Sequence, residues 1–142
     1  MGDDLAASNV NRSYSLAATS IAIFTFTLVF LYPRFTSGEA NAVLFQVTLI
    51  AMAVATFSFV LASFHYYAAS LGDRVEDVIR ARVARRGDRL WLLGYTLLFL
   101  TPSLILFTVN LLVAGSVWLG LWLVYVLFVA RNFALVQTLP RD

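Results

Sequence analysis

The sequence contains no cysteine. That absence excludes disulfides, thiolate catalysis and cysteine-ligated zinc or iron–sulfur centres. It also contains no lysine, and all ten basic residues are arginine. Such a bias fits the codon usage of a GC-rich bacterial genome. Charged residues make up only 13% of the chain, roughly half the share usual in soluble domains. From Leu90 to Ala130 there is no charge at all. There is one histidine, His65. With so few donors no metal-ligand cluster can be assembled, and no metal or other cofactor is expected. A Ser–His–Asp set would need an acid within reach of His65, and no carboxylate lies in any apolar run. No glycine-rich phosphate loop is present; "YPRFTSGEANA" has a single glycine and reads as a turn.

What is present is apolar. Hydrophobic residues fill 61% of 142 positions. A soluble domain of this size has too much surface for its volume to hide that much. In a lipid solvent the difficulty disappears. The uncharged stretch 90–130 is about twice the ~20 residues that one membrane helix needs, so it must hold two spans with a tight turn. Asn110, Gly115 and Ser116 are the turn-capable residues between them. The expected fold is an all-α integral membrane protein. It has one domain over residues 1–142, with four transmembrane helices in two hairpins. The spans cover about 15–32, 40–69, 90–110 and 113–131, and Pro33 stops the first. The leader of span one carries Asp3 and Asp4 against Arg12, and "VFLYPRF" offers no small-residue cleavage site. The segment therefore reads as an anchor and not as a signal peptide.

The missing charge is concentrated in the connector 72–89, "GDRVEDVIRARVARRGDR", which holds six of the ten arginines. Arginine-rich loops stay cytoplasmic. The loop between spans one and two carries one arginine, Arg34, and the loop between spans three and four carries none. Arg12 and Arg131 flank the connector's side. The reading is a bacterial inner membrane protein with both termini in the cytoplasm. Tyr14, Tyr66, Tyr67 and Trp91 then fall at the inner boundary and Tyr32 at the outer one, where amphipathic rings prefer to sit.

Within the connector, Asp73 and Glu76 have the spacing of a capping box. Acids precede arginines, as the helix dipole favours, and Gly87 is a natural stop. Val75, Val78, Ile79 and Val83 share a face. These features predict a short amphipathic cytoplasmic helix over 74–86, lying at the inner surface between spans two and three. Two readings of its charge stand. The simpler is a solvated topology signal. The functional one is contact with lipid headgroups or a partner through Arg80, Arg82, Arg85, Arg86 and Arg89. The basic residues flank apolar segments and no polar domain carries them, so nucleic acid is excluded as a partner.

The spans carry packing patterns. Thr48, Ala51, Ala55, Ser58, Ala62, His65 and Ala69 recur at steps of three and four in span two, a heptad-like seam of small residues. Span one has Ser15, Ala18, Ala22 and Thr25. Span three repeats Gly94, Thr101 and Thr108 every seven. Span four has Ser116 and Gly120 four apart. Pro102 removes a backbone bond in mid-span, with Thr101 and Ser103 beside it to satisfy freed groups. His65 reads first as a packing histidine, bonded to a neighbouring carbonyl or hydroxyl. A proton switch and an axial haem ligand completed by a second chain are its other readings.

No Asp, Glu or Arg lies within a span, so membrane proton relays and arginine voltage sensors are not expected. Two functions of different class follow. The first is a non-catalytic membrane protein that packs with itself, as a homo-oligomer, or with another membrane protein through these seams. The second is a homo-oligomeric channel with walls of Thr48, Ser58, Thr101, Thr108, Gln46 and Asn110. The bilayer is a partner in either.

Overall fold

The computed structural model describes residues 2–71 and 77–138. It holds four helices: α1 (Gly2–Thr36), α2 (Ala42–Ser70), α3 (Asp77–Thr108) and α4 (Leu112–Thr138). Each is long and apolar enough to cross a membrane, over Ser8–Thr36, Ala42–Ser70, Val78–Thr108 and Leu112–Asn132. The architecture is therefore that of a multi-pass membrane protein.

Both short turns begin with the same helix ending. After α1, Gly38 takes φ 78°. Its N–H donates to the carbonyl of Phe35 at 3.2 Å, and the Glu39 N–H donates to Arg34 at 2.9 Å. After α3, Asn110 takes φ 61°. Its N–H donates to Phe107 at 3.1 Å, and the Leu111 N–H donates to Leu106 at 2.9 Å. These are Schellman motifs, in which one left-handed residue lets the last carbonyls find donors. Glycine and asparagine are the two residues that accept that backbone at least cost. Asn41 then caps α2, its side chain accepting from the Leu44 N–H at 3.1 Å, while its own N–H donates to the Thr108 carbonyl at 3.1 Å. That bond ties the end of α3 to the α1–α2 turn.

α2 lies between α1 and α3, and its pairing with α3 is the most extensive in the molecule. α4 packs on α3 alone among contacts of any extent. Neighbouring helices run antiparallel, because paired residues move in opposite directions along the chain. Ser20 meets Thr56 and Phe35 meets Phe45. Tyr66 meets Asp88 and Asn41 meets Thr108. Ser103 meets Gly115 and Thr96 meets Trp122. The core sits where α2 meets its neighbours: Met52, Ala55, Phe59 and Ala62 are wholly buried, with Ala17 of α1 and Leu16, Trp91, Tyr95, Leu97 and Leu98 around them.

Several boundaries differ from those expected. Pro33 does not end α1, which runs on to Thr36. The Ser37 N–H and the Thr36 hydroxyl both donate to the Pro33 carbonyl, at 3.0 and 2.8 Å, so the last turn is held from the far side of the proline. Gly87 does not end a connector helix. Residues 77–108 form one unbroken helix, so the arginine segment from residue 77 on runs straight into span three and does not end as a separate helix at 86; residues 74–76 lie outside the described residues. Gly87 is small for another reason, because a Cβ there would stand 3.0 Å from the Tyr66 ring and 3.3 Å from the His65 Cβ. Val78 and Ile79 are exposed and Val83 half-buried. Val75, Asp73 and Glu76 lie outside the described residues. Gly115 and Ser116 belong to α4, and Asn110 alone of the three makes the turn.

Candidate functional site

Two regions carry the features singled out in the sequence. The first is the α2–α3 interface. Of the α2 seam, Thr48, Ala55, Ser58, Ala62 and Ala69 are buried, and Ala51 and His65 are half-buried. Facing them on α3 are Gly87, Gly94, Thr101 and Thr108, seven residues apart and all buried. At Gly94 the helix meets backbone as well as side chain. A Cβ there would stand 3.0 Å from both the Ala55 carbonyl oxygen and the Phe59 ring. Small residues on both helices let backbones draw this near, which in lipid is a main source of helix association. Gly87 extends the seven-residue repeat by one step at the arginine end, and the same spacing in the sequence could have found it.

On α1 the buried face differs from the one expected. Ser15, Ala18, Ala22 and Thr25 are exposed. The buried line is Ser13, Ala17, Ser20, Thr27 and Leu31, on the other side of the helix. The sequence has small residues on both faces, and only the position of α2 selects between them. Ser20 and Thr56 hydroxyls share a 2.8 Å hydrogen bond. The hydroxyls of Ser13 and Thr27 find no partner among the described residues.

The threonine hydroxyls along the α2–α3 interface are turned to backbone. Thr48 donates to Leu44, Thr101 to Leu97 and Thr108 to Leu104, at 2.7, 3.0 and 2.7 Å. Gln46 and Asn110 are exposed. Around Pro102, α4 supplies further bonds. Trp118 Nε1 donates to the Phe99 carbonyl at 3.0 Å and Trp122 Nε1 to the Thr96 carbonyl at 2.9 Å. Ser103 Oγ donates to the Gly115 carbonyl at 2.9 Å. The proline strips α3 of one ladder bond, and these donors bind α4 to the carbonyls and hydroxyl around it. The tryptophan bonds fall on carbonyls beside the one that Pro102 frees, that of Leu98, so all three bonds hold α4 against α3 and do not replace the lost one. His65 Nδ1 lies 2.8 Å from the Leu61 carbonyl. A carbonyl oxygen only accepts, so Nδ1 holds the proton in this bond.

The second region is the arginine end. Trp91 stacks beneath Arg12, with the guanidinium carbon 5.0 Å from the ring centroid, a cation–π contact. Tyr66 Oη donates to Asp88 Oδ1 at 2.8 Å. These two contacts tie α1 and α2 to α3 at one level. The residues involved look in the sequence like separate interfacial aromatics and separate topology charges. Arg82, Arg85, Arg86 and Arg89 line a cleft of about 420 Å³ with Val78. Arg80 is not in it; half-buried, it lies on the opposite side of the helix. The expected set of five arginines is thus divided into four and one. Among the described residues no three His, Asp or Glu side chains come together in a way that can hold a metal ion.

The chain matches no family model, and comparison with curated proteins and with solved structures finds no match either.

Proposed function

We propose that this chain is a non-catalytic polytopic protein of a bacterial inner membrane. It crosses the bilayer four times in two hairpins, with both termini and the 72–89 segment in the cytoplasm. It associates with a second copy of itself or with another membrane protein through small-residue helix faces. One observation carries the reading. The seams of α2 and α3 are used up inside the chain, yet Ser116 and Gly120 of α4 face outward, and a Cβ at Gly120 would meet nothing within 4 Å. A small-xxx-small pair left open on a peripheral span is the kind of surface that brings membrane helices into close contact. The channel reading has less support, because Thr48, Ser58, Thr101 and Thr108 are buried within the chain and the three threonines bond their own helices.

Cross-linking in native membranes, followed by sizing in lipid particles, tests the proposal. The expected result is a defined oligomer or a co-isolated membrane partner that Gly120→Leu disrupts while the protein stays folded. A lone wild-type monomer without any partner in lipid would overturn it.

A further inference from the structure

The arginine segment of α3 is sorted by face, and the sorting goes beyond what a topology signal requires. Val78, Arg82, Arg85, Arg86 and Arg89 recur at helical spacing on one side of α3 and line the cleft. Gly87, on the far side, packs against Tyr66 and His65 of α2, so the arginines point away from the helix that α3 packs on. The nearby acid is held elsewhere, since Asp88 accepts the Tyr66 hydroxyl. Arg12 is likewise occupied over Trp91. Among the described residues none of the four arginines meets a carboxylate. Arg85 Nε reaches only the Ala81 carbonyl, at 3.4 Å. Four exposed arginines thus line one hollow, and no carboxylate among the described residues pairs with them.

Depth is set as well. α3 is unbroken from Asp77 to Thr108, so the arginines stand at fixed heights relative to Trp91. At 1.5 Å per residue Arg89 lies about 3 Å beyond Trp91, Arg85 and Arg86 about 8 Å, and Arg82 about 14 Å. The headgroup layer is roughly 5–8 Å thick on each side. If Trp91 marks the hydrocarbon edge, three of the four guanidinium groups fall within reach of lipid phosphates. Arg82 stands further out, and only its long flexible stem could bring its guanidinium back to that layer.

We infer that the cleft formed by Arg82, Arg85, Arg86 and Arg89 is a binding site for the phosphate of an anionic phospholipid headgroup. Guanidinium groups suit it because they grip phosphate oxygens two at a time. The inference rests on the membrane reading above and deepens the expected headgroup contact, reducing it to four named residues at one site.

Purified protein in lipid nanodiscs tests it, with retained lipid counted by native mass spectrometry. In phosphatidylcholine doped with phosphatidylglycerol, wild type is expected to retain phosphatidylglycerol selectively. Each arginine contributes about fivefold, so R85Q/R89Q is expected to lose about 25-fold in selectivity. R131Q, on the same side but outside the cleft, is expected to lose less than twofold. R85K/R89K keeps the positive charge and hence the orientation, and is expected to lose several-fold through the missing fork. Equal losses from R131Q and from a cleft arginine would overturn the site, as would full retention by the lysine pair. Displacement of the lipid by millimolar inorganic phosphate would assign the cleft to soluble phosphate and overturn the lipid. The membrane reading fails separately, if alkaline carbonate releases the protein from native membranes. Absence of lipid selectivity in a protein that resists carbonate sinks only this inference.

Discussion

α2 and α4 have the same mean hydropathy, 2.2 over their most apolar eighteen residues, and very different surroundings. In α2 39% of those residues are buried inside the molecule, and in α4 only 6% are. Apolarity therefore says that a segment enters the membrane and nothing about what it meets there. Lipid tails are as apolar as leucine, so helices are sorted by how closely their backbones can approach. α2 has alanine, serine or threonine at every step but His65 along one line from Thr48 to Ala69, with glycines opposite on α3. Of the two glycines of α4 only Gly115 is close to α3, where a Cβ would come 2.8 Å from the Phe107 ring. Elsewhere it holds α3 through tryptophan hydrogen bonds and stacked rings, such as Tyr125 on Phe99 at 5.3 Å.

This difference can be broken most severely at Gly94. A leucine there has to displace the Ala55 backbone carbonyl, which cannot swing away as a side chain can. Gly94→Leu is expected to destabilise the fold by about 3 kcal/mol, read by reversible unfolding in mixed micelles. Gly115→Ala is the matching test on α4. Its nearest contact is the Phe107 ring, a side chain that can give, and it should cost about 1–2 kcal/mol. The next effect in size falls at the arginine end. Tyr66→Phe removes the bond to Asp88, which is exposed, and should cost about 1 kcal/mol. Trp122→Phe keeps an aromatic ring, though a smaller one, and leaves the Thr96 carbonyl without its second donor. Its expected cost is about 0.6 kcal/mol, the average for a hydrogen bond between membrane helices. Gly120→Leu should leave unfolding unchanged within about 0.5 kcal/mol, because its Cβ enters open space. A fall in the cross-linked species with this variant alone would sharpen the contrast between an internal seam and an external one.

Much of this was legible from residues. The spans could be read because charge vanishes from 90–130 and collects in 72–89. The α2 seam could be read because small residues recur there at steps of three and four over six turns, from Thr48 to Ala69. The α1 face could not, since Ser15, Ala18, Ala22 and Thr25 are as small as Ser13, Ala17, Ser20 and Thr27. Gly87 was misread as a stop because a glycine after arginines ends a helix as readily as it lets two helices touch. Only the Tyr66 ring beside it decides between the two. The division of Arg80 from the other arginines follows from helical phase. That phase is undefined until the segment is known to continue into span three.

Because the chain has no cysteine, single introduced thiols report without background, and they test the central claim directly. Ser8→Cys, Arg86→Cys, Ser37→Cys and Leu111→Cys place one probe at an exposed position near each end of the spans. A membrane-impermeant maleimide is added to intact cells from which the outer barrier has been stripped. The account requires labelling at positions 37 and 111 before the membrane is opened, and at 8 and 86 only afterwards. Labelling at position 86 together with 111 in intact cells would place both ends of α3 on one side of the bilayer, and the four-span account would fail.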